Sequence, residues 1–200
     1  CIGAPGMQNV TNAVGALGLA LELGAEPGDL ADALASFHGV ARRFDVRGRA
    51  AGVTVIDDYA HHPTEIGATV DAARLAAEQG NGRVVAIFQP HRYTRTRDLM
   101  NAFGVAFVEC DLLVLTDVYA AGEDPLPGVT IDALADRIRR TGRQEVQVVH
   151  RRADVAAAIA PQLRPGDVAL CLGAGDNWKT APELLERLLA LHPENPRQDS

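Results

Sequence analysis

Apolar positions along the chain repeat with two different periods. Over residues 9–23, and again over residues 28–37, they recur every three or four positions, which predicts two amphipathic helices, each followed by a glycine. From residue 53 onward, short continuous apolar runs alternate with amphipathic segments. The chain therefore predicts two leading helices and then a series of strands that alternate with helices.

The second part has the order expected of an α/β protein. Strands are predicted at residues 53–56, 84–88, 112–115, 146–149 and 168–172, and helices at 64–78, 97–109, 131–141, 153–163 and 182–191. Such alternation favours a mainly parallel sheet with helices on both faces and right-handed crossovers. Because ligands of open parallel sheets bind beyond the carboxyl ends of the strands, candidate chemistry is sought directly after each strand.

Composition narrows the class of protein. The 200 residues are 47% hydrophobic and carry a net charge of −7, which argues against a general nucleic-acid surface. Three widely spaced cysteines indicate no disulfide framework and suggest a reducing cytoplasm. We expect no membrane anchor, because no apolar stretch approaches the length of a membrane span. Cys1 stands where an intact chain would have Met, so we expect a fragment.

The segment after the first predicted strand, residues 57–65 (DDYAHHPTE), is dense in titratable side chains. Two carboxylates, a phenol and two imidazoles could bind a ribose, a metal-bound phosphate or an amine, and could transfer protons near neutral pH. The alternative is a helix cap with solvated neighbours, since Pro63 suits the first turn of a helix.

Two other segments are basic. Arg92 and Arg95 follow the second predicted strand, where their guanidinium groups could grip a carboxylate or phosphate, or form surface ion pairs. Arg42 and Arg43 lie between the leading helices and the first predicted strand, where they could reach a nucleotide phosphate or be solvated. Residues 173–176 (GAGD) form a glycine-bearing turn without the spacing of a dinucleotide fingerprint, which argues against a nicotinamide cofactor.

Taken together, five segments closely resemble the muramate:alanine ligases of the Mur ligase family. They are residues 5–13 (PGMQNVTNA), 55–65 (VIDDYAHHPTE), 88–96 (FQPHRYTRT), 117–123 (DVYAAGE) and 173–176 (GAGD). The resemblance implies that residues 1–39 are the last helices of a central ATP-binding domain. It also implies that residues 40–200 are a Rossmann-like, amino-acid-binding C-terminal domain.

The resemblance also implies an activity. The family uses ATP and Mg²⁺ to convert a substrate carboxylate into an acyl phosphate, which the amine of an amino acid then attacks. For this branch the substrates would be UDP-N-acetylmuramate and L-alanine, in the synthesis of a peptidoglycan precursor. We expect the phosphate-binding loop and metal ligands in other domains of the same chain, because no such loop occurs here. We therefore predict that the 200 residues alone do not form the amide bond.

Roles for individual residues follow from the same resemblance. Asn9 and Asn12 would face adenine, Arg43 would reach the ATP phosphates and Asp58 would hold the ribose. The resemblance places seven residues near the incoming alanine: Tyr59, His61, His91, Arg92, Arg95, Gly173 and Asp176. Of these, His61, Arg92 and Arg95 would be the candidates for catalysis. Two alternatives stay open, a related ligase that recycles a whole tripeptide and a ligand-binding module without catalysis.

Overall fold

The computed structural model describes residues 7–37 and 39–192. Two helices come first, α1 (Met7–Glu22) and α2 (Pro27–Ser36), as the helical periodicity predicts. Many apolar side chains of this leading part are exposed, among them Val14, Leu19 and Leu23. Exposed large apolar side chains are thus concentrated in this leading part of the chain. No helix in the described ranges is both long and apolar enough to cross a membrane.

A six-stranded sheet follows. Its strands are β1 (Asp45–Ala50), β2 (Val53–Asp58), β3 (Val84–Phe88), β4 (Leu112–Leu115), β5 (Glu145–Val148) and β6 (Val168–Leu172). They lie in the order β1-β2-β6-β3-β4-β5, and all neighbours are parallel except β1 and β2. All five residues of β3 and of β6 are buried, because these strands lie at the centre. The mainly parallel α/β fold and the five predicted strands are confirmed.

Helices cover both faces of this sheet, which is also confirmed. On one face pack α3 (Pro63–Gln79), α5 (Met100–Ala106) and α6 (Ile131–Arg139), around a core that includes Phe88, Phe103 and Phe107. On the other face pack α7 (Arg152–Ile159) and α8 (Thr180–Leu191). Each face thus has its own apolar cluster, and the apolar strands of the sheet separate the two.

Two elements differ from the sequence prediction. Strand β1 was not predicted, because its sequence DVRGRA is polar and only one of its six residues, Ala50, is buried at the sheet edge. The helix predicted at 97–109 is instead two short helices, α4 (Tyr93–Asp98) and α5, which meet at Leu99. Leu99 departs from helical geometry with ψ near 10°, so an apolar stripe that is continuous in sequence runs across a break in the helix.

Candidate functional site

The candidate site lies at the edge of the sheet where β2, β6, β3 and β4 end. Because these strands are parallel, the loops that follow them meet at one edge. Each loop begins with polar or glycine residues, namely Asp57 and Asp58 at the end of β2, Gly173 after β6, Gln89 after β3 and Thr116 after β4. The sheet thus brings together segments that are more than 100 residues apart in the chain.

A cavity of about 700 Å³ lies between the leading helices and α3. Four of the lining residues are those that the sequence resemblance assigned to the nucleotide, Asn9, Asn12, Arg43 and Asp58. The rest of the lining is largely apolar and comes from α1, α2, α3 and the segment that joins α2 to β1, called the linker below. These residues are Ala13, Ala16, Leu34, Phe37, Gly39, Val40, Thr64, Glu65, Ala68 and Thr69. An apolar slot with amides at one side, a cation and a carboxylate suits a nucleoside phosphate. Of the family motif at residues 5–13, Pro5 and Gly6 lie outside the described residues.

Asp58 also organises the backbone around this cavity. Its two carboxylate oxygens accept hydrogen bonds from the amides of Phe44 and Ala60, each at 2.7 Å. Burial raises the pKa of Asp58 above its ordinary value, and these two hydrogen bonds act against that shift. Each oxygen has a second lone pair, so Asp58 can accept a further hydroxyl donor while it holds the linker in place.

The side chains of the two adjacent arginines of the linker point in different directions. Arg43 is exposed and lines the cavity, whereas Arg42 turns inward. The guanidinium of Arg42 lies 3.2 Å from the carboxylate of Asp57, donates to the carbonyl of Gly173 at 2.7 Å, and stacks 4.8 Å from the ring centre of Tyr59. Arg42 therefore ties the linker to the loops after β2 and β6. Neither predicted alternative, a phosphate contact or a solvated side chain, describes Arg42.

His61 is held in one tautomer. Its Nδ1 lies 3.0 Å from the carbonyl oxygen of Tyr59, and 3.5 Å from the carboxylate of Glu65. Since a carbonyl oxygen only accepts, Nδ1 of neutral His61 carries the proton and Nε2 keeps a free lone pair. His62, in contrast, forms a capping box with Glu65 at the start of α3. The alternative of a helix cap thus applies to His62 and not to His61.

His91 is held in the opposite tautomer. Nη1 of Arg95 lies 3.2 Å from Nδ1 of His91, and because a guanidinium only donates, this nitrogen accepts. The proton of neutral His91 is therefore on Nε2. Burial first, and then the positive charge of Arg95, lower the pKa of His91. Near neutral pH the ring is an uncharged donor whose position is fixed by Arg95.

Arg92 has a half-exposed side chain and an unusual main chain. Its φ is +72°, a left-handed value that few residues other than glycine adopt. The main chain is held there because its amide donates to the carbonyl of Tyr119 at 2.8 Å and its carbonyl accepts from Thr96. Glu123 lies 4.0 Å from the guanidinium and caps α4 through the amide and hydroxyl of Thr94, so its pKa is lowered. Arg92 thus extends toward solvent from a rigid base.

Four rings form a row across the ends of β2, β3 and β4. The ring centres of Tyr59 and His61 are 5.2 Å apart, those of His61 and His91 are 6.1 Å apart, and those of His91 and Tyr119 are 5.6 Å apart. The structure therefore brings together Tyr59, His61 and His91, three of the sequence-predicted site residues, and adds Tyr119. Tyr119 and Glu123 were not predicted as site residues, although both lie in the segment 117–123 that carries the family resemblance.

Gly173 and Asp176 are engaged in contacts within the protein. Asp176 accepts from the side-chain amide of Gln89 at 3.0 Å and lies 3.7 Å and 3.8 Å from Arg152 and Lys179. The other amide atom, Oε1 of Gln89, is buried and has no hydrogen-bond partner among the described residues. The turn is therefore joined to the loop after β3, beside the row of rings, rather than to the cavity.

Such a fold, with a cavity and a cationic, imidazole-bearing loop cluster at the carboxyl ends of parallel strands, is typical of α/β domains that bind ligands at that edge of the sheet. The chain belongs to the Mur ligase family, since the model of the Mur ligase glutamate ligase domain matches residues 42–175. Its sequence is 54% identical over 183 residues to a UDP-N-acetylmuramate–L-alanine ligase of Anaeromyxobacter dehalogenans, covering 92% of this chain and 39% of that protein. It is 50% identical to the ligase of the same name from Myxococcus xanthus, with 92% and 38% covered.

Solved structures agree with this assignment. The UDP-N-acetylmuramate–alanine ligase of Thermotoga maritima superposes with a TM-score of 0.78 at 30% identity, over 95% of this chain and 40% of that chain. A murein peptide ligase of Psychrobacter arcticus superposes with a TM-score of 0.66 at 24% identity, over 92% and 37%, which shows the shared fold. The chain spans about two fifths of the length of the relatives that it matches.

Proposed function

We propose that this chain is the amino-acid-binding part, with one wall of the nucleotide site, of an ATP-dependent ligase that joins L-alanine to UDP-N-acetylmuramate. One observation supports this most directly. Arg43 contacts both parts of the site, because it lines the cavity and its guanidinium lies 5.7 Å from the ring centre of Tyr59, the first ring of the row. A nucleotide on one side and an amino acid on the other would therefore be neighbours.

The cavity would hold ATP through four groups. The amides of Asn9 and Asn12 match the donors and acceptors of a purine edge, and the apolar wall matches its faces. Asp58 can accept from a ribose hydroxyl, and Arg43 supplies a positive charge for the phosphates. Binding there would join α1 and α2 to the sheet-bearing part, because the lining comes from both.

Alanine would lie among His61, His91 and Arg92. His91 offers an Nε2–H group and Arg92 a half-exposed guanidinium, which together suit the carboxylate of an amino acid. Arg95 would act by holding His91 as well as by its charge. His61 offers an Nε2 lone pair, and so it can take a proton from the amine.

The opposed tautomers of the two histidines therefore suit the two ends of one substrate. In the step that forms the amide, the amine nitrogen attacks the acyl carbon of the activated carboxylate, and phosphate leaves with the electrons of the C–O bond. The proton that the amine loses passes to Nε2 of His61. Mg²⁺ and ATP would supply the activation of the carboxylate, with their further ligands in other domains of the ligase.

The domain division follows from the same proposal. Residues 1–39 would be the last helices of the central ATP-binding domain, and residues 40–200 would be the C-terminal domain. The exposed apolar residues of α1, such as Val14 and Leu19, would pack on the rest of the central domain. The partners of this chain would then be the other domains of the same ligase and its small-molecule substrates.

A transplant tests the function. This chain replaces the matching segment of the Anaeromyxobacter dehalogenans ligase, and ATP-dependent phosphate release is measured with UDP-N-acetylmuramate, Mg²⁺ and either L-alanine or a tripeptide. We expect turnover that depends on L-alanine, and none from the 200 residues alone. Turnover with the tripeptide only would assign the chain to a peptide-recycling ligase. A folded hybrid that binds nucleotide but has no turnover with either would favour a binding module. The unmodified relative is the control.

A further inference from the structure

The main chain of Tyr119 is hydrogen-bonded to the residues directly before and after His91 in the chain. Its amide donates to the carbonyl of Pro90 at 2.8 Å, and its carbonyl accepts from the amide of Arg92 at 2.8 Å. These two bonds form an isolated parallel bridge between Tyr119 and His91, beyond the last residues of β3 and β4. The main chain on either side of His91 is thus fixed to the loop after β4.

The ring of Tyr119 fixes the side chain as well. It stacks on the imidazole of His91 with an angle of 12° between the ring planes and 5.6 Å between the centres. On the side of the β6 loop, a Cβ atom at Gly175 would lie 2.7 Å from Cγ of Tyr119, so the ring base rests directly on the glycine. One aromatic side chain therefore contacts both the β3 loop, at His91, and the β6 loop, at Gly175.

We propose that Tyr119 is a positioning residue of the alanine site, which acts by holding His91 at the angle that substrate recognition requires. This inference rests on the proposed function. Stacked rings have a preferred offset geometry, and a displacement of about 1 Å in a recognition group can cost roughly a hundredfold in rate. Tyr119 itself need not touch substrate.

The experiment compares Tyr119→Phe with Tyr119→Leu in the hybrid ligase. Phenylalanine keeps the ring, so we expect KM values like those of the parent hybrid. Leucine fills part of the space without a flat face, so we expect KM for L-alanine to rise about tenfold or more while KM for ATP stays unchanged. The inference fails if both variants keep the parent's KM for L-alanine, or if KM for L-alanine rises equally in both. The proposed function would stand in either case.

A second readout needs no turnover. The titration of His91 is followed by NMR in the 200-residue chain, with Tyr119 intact and replaced by Leu. The groups that face His91 are Arg92 of the β3 loop, Arg95 of α4, His61 of the β2 loop and Glu123 of the β4 loop, and none of them is altered. Loss of the covering ring should expose the imidazole and raise its pKa toward the ordinary value. An unchanged His91 titration in a folded Leu variant would overturn the inference, whatever the fate of the proposed function.

Discussion

Arg42 and Asp57 form a partly buried ion pair that joins the linker to the sheet. The carboxylate of Asp57 is 4% exposed and the side chain of Arg42 is 27% exposed, with 3.2 Å between Nε and Oδ2. The same guanidinium reaches the carbonyl of Gly173, so three chain segments meet at one side chain. An unpaired carboxylate at such a depth is unfavourable, because it loses the water that would otherwise solvate it.

Replacing Arg42 should therefore destabilise the fold. We expect Arg42→Met, which keeps the aliphatic stem, to lower the free energy of unfolding by about 2–3 kcal/mol, less than for a fully buried pair because Arg42 is partly solvated. Urea unfolding measures the difference. The control is Arg151→Met, since Arg151 and Asp154 are both more than half exposed and 3.7 Å apart. Its loss should be below about 0.5 kcal/mol, and equal losses for the two variants would contradict a special role for Arg42.

The loss of unfolding free energy caused by Arg42→Met should depend on pH. Burial already raises the pKa of Asp57 above its ordinary value of 3.8, and Arg42 opposes that shift. Without Arg42 the pKa in the folded state should rise further, while that of the unfolded chain stays the same. As pH falls through the folded value, Asp57 takes up a proton and the unpaired charge disappears. The two unfolding free energies should therefore converge toward acid pH, and a constant difference would refute this origin.

Substitutions of Arg95 should reveal whether it acts through His91. Arg95→Ala removes the donor to Nδ1 of His91 and one positive charge beside it. We expect the pKa of His91 to rise and KM for L-alanine in the hybrid ligase to increase about tenfold or more. Arg97→Ala is the matched control on the same short helix, because Arg97 is exposed and pairs only with Asp98 among the described residues. If His91 titrates in Arg95→Ala as it does in the parent, Arg95 does not act through His91.

The strands and the residues after them were predictable because burial leaves a plain signal. Runs such as 84–88 and 168–172 are apolar on both faces, as central parallel strands must be. The polar residues that follow them could be assigned to one edge of the sheet by topology alone. Strand β1 had no such signal, since an antiparallel edge strand with a bulge near Gly48 buries little.

The fine geometry of the site was not predictable. Nothing in the order of residues indicates that Arg42 turns inward while Arg43 stays exposed, because that outcome depends on a positive φ at Arg42 and on a carbonyl 131 positions away at Gly173. The opposed tautomers of His61 and His91 depend likewise on hydrogen-bond partners set by tertiary structure. Sequence patterns locate such groups on an edge of the sheet, and packing decides which atom each presents.

His150 should titrate above its ordinary pKa of 6.5. Its Nδ1 lies 2.8 Å from Asp117, and this hydrogen bond and charge raise the pKa, with a smaller contribution from Asp132. Because the folded value is the higher one, the stabilisation from the pair is fully present below pH 6.5 and is lost as pH rises through the folded pKa. NMR should show the His150 pKa falling in Asp117→Asn and in high salt, but not in Asp154→Asn. A wild-type value at or below 6.5 would rule out the pairing.

Gly175 should not tolerate a side chain, because the space beside it is filled. A Cβ atom there would lie 2.5 Å from Oε1 of Gln89 and 2.7 Å from Cγ of Tyr119. We expect Gly175→Ala to lower the free energy of unfolding by about 1–3 kcal/mol, as overpacking does. Gly28→Ala is the control, since its Cβ would meet nothing within 4 Å, and its stability should be unchanged or raised by up to about 1 kcal/mol.

Contact between Gly175 and Tyr119 can be tested by combining two changes. If the ring is the main obstacle, Tyr119→Ala should relieve part of the clash, because it removes Cγ at 2.7 Å and keeps Cβ at 2.9 Å, and the double variant should lose less stability than the sum of the two single losses. The side chain of Gln89 can move aside, because the clashing atom is at its flexible end. The ring base of Tyr119 can move only if its main chain, which is hydrogen-bonded on either side of His91, also moves. Additive losses would mean that the β6 loop moves away from Tyr119, and the ring would then not limit how closely that loop approaches.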